Sequence, residues 1–125
     1  MNDKVKDQAA FIEEPLFKIG KKSEFITVGR LVYFSELYGI VTVPDGFPTD
    51  FSSIPRVFRA LHPVNGKHRL AAVVHDYLCT DDITPRKVAD KVFNEAMKVL
   101  KVKGWRRRQF YIAVRIGGIF GRKKK

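Results

Sequence analysis

The stretch EFITVGRLVYFSELYGIVTVPDG, Glu24 to Gly46, decides the fold. It is dense in β-branched and aromatic residues, which favour strands. Two turn signals divide it. Ser35-Glu36 separates EFITVGRLVYF from YGIVTV, and Pro44-Asp45-Gly46 closes the second run. Gly29, inside the first run, predicts a bulge or a bend. Upstream, LFKIG after Pro15 reads as a further strand, joined to the next through the turn Gly20-Lys21-Lys22-Ser23.

Past residue 50 the pattern changes to helices. SIPRVFRAL predicts a short helix, with Ser53 as its cap and Pro55 in its first turn. A second helix is expected from about Arg69 to Leu78. A third is expected to open on the cap Thr84 and Pro85 and to reach about Lys101. Its apolar positions Val88, Ala89, Val92, Phe93, Ala96, Met97 and Leu100 follow helical spacing. Gly104 interrupts the pattern, and a fourth helix is expected from Trp105 to Ile116, weakened at Gly117-Gly118. Strands first and helices after predict an α+β fold: a small N-terminal antiparallel β-sheet followed by three to four α-helices packed on it.

The chain has 125 residues, of which 45% are hydrophobic, enough for one domain with a real core. Residues 1–14 are polar and mixed in charge, and predict a flexible N-terminal arm. Residues 15–120 are expected to form a single α+β domain, and 121–125 a basic C-terminal tail. The lone Cys79 has no partner for an internal disulfide and reads as a small buried hydrophobe. No apolar h-region opens the chain, so no signal peptide is expected. No run approaches the ~18 apolar residues of a membrane span. The formal charge of +11 is uneven. Residues 1–100 hold 14 Lys/Arg and all 13 carboxylates, whereas residues 101–125 hold 10 Lys/Arg and no carboxylate.

Several ionisable residues stand where apolar ones are expected. His75 ends the apolar run AAVV on one helix, with Asp76 about 100° further round. Asp90 lies at the edge of the apolar stripe of the next, and Arg115 is embedded in YIAVRIGG. A lone buried charge costs several kcal/mol, so these groups are expected to converge, with Asp50 from the loop FPTDFSS as a fifth member. The residues leave two readings open. In one, the cluster is a buried network: Arg115 holds a carboxylate, His75 bonds a backbone carbonyl and Asp50 caps the short helix. In the other, it is a pocket in which His75 is an acid/base or a metal ligand and the aspartates complete the site. One imidazole with carboxylates such as Asp76 and Asp90 suits a divalent metal. The His-Asp pair is similar to that of the HD phosphohydrolases. Those need another upstream histidine, here His62 or His68, and are all-helical.

Read together, VPDGFPTDFSSIPR, AAVVHDYL, ADKVFNEAM and YIAVRIGG resemble, in order and spacing, domain of unknown function 1353. This is an uncharacterised family found mainly in bacteriophages and prophages. Ser52 stands where the family usually has alanine. The resemblance implies a phage origin and an accessory or virion-related role, and brings no established activity. It places Asp50, Ser53, Arg56, His75, Asp76, Asp90, Glu95 and Arg115 at motif positions. The location it implies is the host cytoplasm or the phage particle.

The basic end GWRRRQFYIAVRIGGIFGRKKK admits three readings. It is a helix with solvated basic ends, a nonspecific nucleic-acid contact through Arg106, Arg107, Arg108 and the tail, or an attachment to an anionic membrane with Trp105, Phe110 and Phe120. Two functions follow. One is a small, metal-assisted hydrolase with catalytic His75, Asp50, Asp76 and Arg115. The other is a non-enzymatic virion- or tail-associated protein that docks through its basic end on nucleic acid or another phage protein.

Overall fold

A computed structural model of the chain describes residues 8–21, 24–49, 68–80 and 83–122, with side chains as far as Ile116. The architecture is α+β. Six strands precede three helices: β1 (Ala10–Glu13), β2 (Leu16–Ile19), β3 (Phe25–Val28), β4 (Leu31–Ser35), β5 (Gly39–Val43), β6 (Pro48–Thr49), α1 (Arg69–Cys79), α2 (Arg86–Val99) and α3 (Gly104–Arg122). The short helix expected over SIPRVFRAL lies outside the described residues, as do Asp50, Ser53 and Arg56.

The strands form two three-stranded antiparallel sheets, β1-β4-β5 and β2-β3-β6. The run EFITVGRLVYF therefore contributes a strand to each. Gly29 causes the split: its φ is +98°, a conformation open to glycine and costly for other residues. Its N–H donates to Asp45 Oδ1 at 2.7 Å. Nearby, the buried Thr27 hydroxyl donates to the Pro44 carbonyl at 2.9 Å and accepts from the Phe47 N–H at 2.8 Å. One threonine thus clamps the Pro44-Asp45-Gly46 turn between the sheets. Ser35 does similar work in the β4–β5 hairpin, where its Oγ accepts from the N–H groups of Leu37 and Tyr38.

Within the span expected as an N-terminal arm, Ala10–Glu13 forms strand β1, while residues 1–7 lie outside the described residues. Ala10–Glu13 pairs antiparallel with β4. Phe11 fixes it there, with its ring centroid 4.6 Å from that of buried Tyr33.

The core lies between the β1-β4-β5 sheet and the helices. Leu31, Tyr33, Val41 and Val43 face inward from the sheet. They meet Ala71, Val73, Val74 and Leu78 of α1, and Val92, Phe93, Ala96 and Met97 of α2. Phe110 and Val114 of α3 complete it, with the Phe93 and Phe110 rings edge to face at 6.3 Å. Residues Ala71–His75 are buried without a break, which is why α1 shows no polar face there.

Helix α2 opens on Pro85, and no side chain caps it, so Thr84 is not the cap that the sequence suggested. It ends in a Schellman turn. The Val102 N–H bonds the Met97 carbonyl at 3.0 Å, the Lys101 N–H bonds the Lys98 carbonyl at 3.0 Å, and Lys101 takes φ 63°. Helix α3 continues past Ile116 through Gly117-Gly118 to Arg122. Glycine lowers helix propensity by about 1 kcal/mol per residue without forbidding helical dihedrals. Among the described residues, no helix is long and apolar enough to cross a membrane.

Candidate functional site

Helices α1 and α3 each send one side chain, and α2 sends two, to a common point. On α1, the apolar run Ala71–Val74 turns His75 into the interior, where only 1% of its side chain is exposed. On α2, Asp90 sits one turn beyond Arg86 and is fully sealed. His75 Nε2 lies 2.6 Å from Asp90 Oδ1. Arg86 Nε donates to the same oxygen at 3.1 Å, and Arg115 Nη1 from α3 donates to Oδ2 at 2.8 Å. Arg86 also donates through Nη2 to the Val114 carbonyl at 2.9 Å, joining α2 to α3 a second time.

One carboxylate therefore answers three cationic partners, and this fixes the protonation states. Burial pushes the His75 imidazole toward neutrality. The hydrogen bond to Asp90, the neighbouring Cys79 and the charge of Asp76 together outweigh it and raise the pKa to about 9. Burial alone would raise Asp90. The hydrogen bond and charge of His75, the hydrogen bond of Arg115 and the charge of Arg86 overcome that and hold the carboxyl below its ordinary range. At neutral pH the centre is imidazolium, carboxylate and two guanidiniums, with the Nε2–H donating to Asp90.

The knot differs from a catalytic arrangement in two ways. A nucleophile–histidine–carboxylate relay uses opposite ring nitrogens for its two partners. Here Cys79 Sγ lies 3.8 Å from Nε2, the nitrogen already bonded to Asp90. The three expected metal ligands also do not converge: Asp76 lies about 100° round α1 from His75 and accepts from Thr49, so His75, Asp76 and Asp90 do not form one donor set. Among the described residues, no group of three or more His, Cys, Asp or Glu stands close enough to hold one.

Asp76 does not join His75 and Asp90 in the knot. It points about 100° away around α1, where Thr49 of β6 donates its hydroxyl to Asp76 Oδ2. The Thr80 hydroxyl donates to the Asp76 carbonyl at 2.8 Å. Glu95, about two and a half turns from Arg86 and so on the other side of α2, serves a third place. Its Oε1 accepts from the Tyr33 hydroxyl at 2.7 Å and its Oε2 from the Glu36 N–H at 3.0 Å, which ties α2 to β4 and its turn. Arg106, Arg107 and Arg108 occupy the first turns of α3. Arg107 Nε donates to the Val102 carbonyl at 3.1 Å, and the Arg106 guanidinium lies 6.0 Å from the Trp105 ring centroid.

Arg86 and Thr49 are the members that sequence reasoning did not assign. Arg86 had a signal in its i,i+4 spacing to Asp90. Thr49 had one as the neighbour of Asp50.

The family model for a protein of unknown function (DUF1353) matches residues 27–114, from β3 to the middle of α3. This chain belongs to that family. The match takes in Glu95 and the knot residues His75, Arg86 and Asp90, and it ends one residue short of Arg115. No curated protein and no solved structure matches the chain.

Proposed function

We propose that this DUF1353 chain is a phage-encoded accessory protein that works by docking rather than by catalysis. Its helices form a rigid body, and its carboxylate-free basic end engages a virion component or nucleic acid. One observation carries the reading: the imidazole of His75 is sealed from solvent while both oxygens of its carboxylate partner are occupied. A general base must reach its substrate within hydrogen-bond distance, and this ring is enclosed by protein. The charge distribution supports the same reading, because no Asp or Glu follows Glu95 in the sequence.

The test compares binding with turnover in the purified chain. Salt-sensitive retention on a polyanion, weakened by deleting residues 121–125, is the expected result. Hydrolysis of a phosphoester or cell-wall substrate that is lost in a folded His75→Gln variant would overturn it.

A hydrolase reading has one support, the Thr49–Asp76 pair at the junction of sheet and helix, with Asp50 next in the chain. In that case Asp76, not His75, is the residue whose replacement by Asn abolishes turnover.

A further inference from the structure

Helix α3 has two apolar faces, and the core formed by the described residues is built on one of them. Phe110, Ala113 and Val114 are buried. On the opposite side Trp105, Ile112 and Ile116 remain 58%, 50% and 44% exposed. These three are not scattered. Trp105 and Ile112 are seven residues apart and lie within about 20° of each other around the helix, and Ile116 lies about 40° from Ile112. The sequence continues the spacing at Ile119. A stripe this narrow matches the a/d seam of a coiled coil rather than the broad face by which a helix joins a globular core.

Cations border the seam. Arg108 is exposed beside it, and Arg106 leans over Trp105 on the other side. Arg115 follows Arg108 at the same seven-residue spacing, though it also donates inward to Asp90. Among the described residues, no carboxylate forms an ion pair with Arg106 or Arg108. Resting on the docking function proposed above, we infer that the Trp105–Ile112–Ile116 seam receives an acidic amphipathic helix of a partner protein.

Charge complementarity selects that occupant. Apolar residues at the partner's a and d positions would meet the isoleucines, while glutamates at its e and g positions would meet the arginines. A second copy of this chain would set arginine against arginine. A phosphate backbone would gain nothing from two exposed isoleucines. A bilayer favours a wide apolar face, whereas this one is narrow and has Gln109 within it.

The probe is a synthetic three-heptad peptide with Leu at a and d and Glu at e and g, added to the full chain. Trp105 is the only tryptophan, so its fluorescence reports binding. The expected result is a blue shift, with affinity about tenfold or more above that of a scrambled peptide of equal composition. Ile112→Ser combined with Ile116→Ser should lower it by about tenfold or more, with the chain still folding cooperatively in urea, since about half of each side chain is exposed. Equal binding of the scrambled peptide, or an unaffected double variant, overturns the seam. Two further arms separate this failure from failure of the docking function. Tight binding of oligo-dT, or of phosphatidylglycerol-containing vesicles, that ignores the isoleucine changes leaves docking standing with another occupant. Binding of none of these probes overturns both.

Discussion

His75 and Asp90, fifteen residues apart in sequence, meet at 2.6 Å with both side chains sealed inside the three-helix layer. The pair orders the energetics of the knot. Asp90 is the only counter-charge that His75, Arg86 and Arg115 share among the described contacts. Removing its charge with Asp90→Asn leaves an imidazolium and two guanidiniums facing a neutral amide. The expected loss is about 3–5 kcal/mol of unfolding free energy, the range for a broken buried pair. His75→Ala should cost less, because Asp90 keeps both arginines. Urea unfolding of the two variants checks the ranking, and an Asp90→Asn protein as stable as the parent would disprove the account.

Stability should fall on the alkaline side through the same pair. The His75 imidazole binds its proton more tightly folded than unfolded, since its pKa is raised to about 9 against about 6.5 for a free imidazole. Its contribution is complete below about pH 6.5, declines as pH rises, and is gone above about 9. Asp90 has the opposite sign: its pKa is lowered, so its contribution holds above the ordinary carboxylate range and is lost as acid protonates it. The unfolding free energy should therefore have an alkaline limb that His75→Gln flattens. A limb of equal slope in that variant would mean that another group produces it.

How much of this was legible in the sequence depends on which forces decide each feature. The periodicity of Val88, Val92, Phe93, Ala96 and Met97 reports burial directly, so α2 could be read. The convergence of His75, Asp90 and Arg115 followed from the cost of burying each alone. The separate position of Asp76 did not. Its direction around α1 was clear, but whether that direction met a carboxylate or Thr49 depends on where β6 lies. The division into two sheets was hidden because residues on both sides of Gly29 favour strands equally, and only tertiary pairing assigns them. Strand β1 was obscured by the polar residues before it, although Phe11 was the anchor.

Glu95 and Tyr33 give a smaller, separable prediction. Burial, and then the hydrogen bond to Glu95, push the Tyr33 phenol well above its ordinary pKa, so it remains a neutral donor. Tyr33→Phe removes one bond to a charged acceptor and should cost about 1.5–3 kcal/mol. Glu95→Ala should cost more, since it also strips the Glu36 N–H of its acceptor. Thermal unfolding of the two variants and the double variant measures the coupling. Purely additive losses would show that the 2.7 Å bond contributes nothing.

Lys101 supplies a prediction in the stabilising direction. Its φ of 63° places a side-chain-bearing residue where the Schellman turn favours glycine. Its backbone is held there by two hydrogen bonds, Lys101 N–H to Lys98 and Val102 N–H to Met97, and by the burial of Val102. Lys101→Gly relieves the clash of Cβ with the backbone, worth about 1 kcal/mol. That exceeds the added entropy of the unfolded chain, because the native turn is one that glycine adopts freely. Lys101→Ala keeps the Cβ and should leave stability near that of the parent, which separates backbone strain from the loss of a positive charge. The measurement is the urea midpoint at constant m. A glycine variant no more stable than the alanine variant would show that the left-handed turn carries no strain.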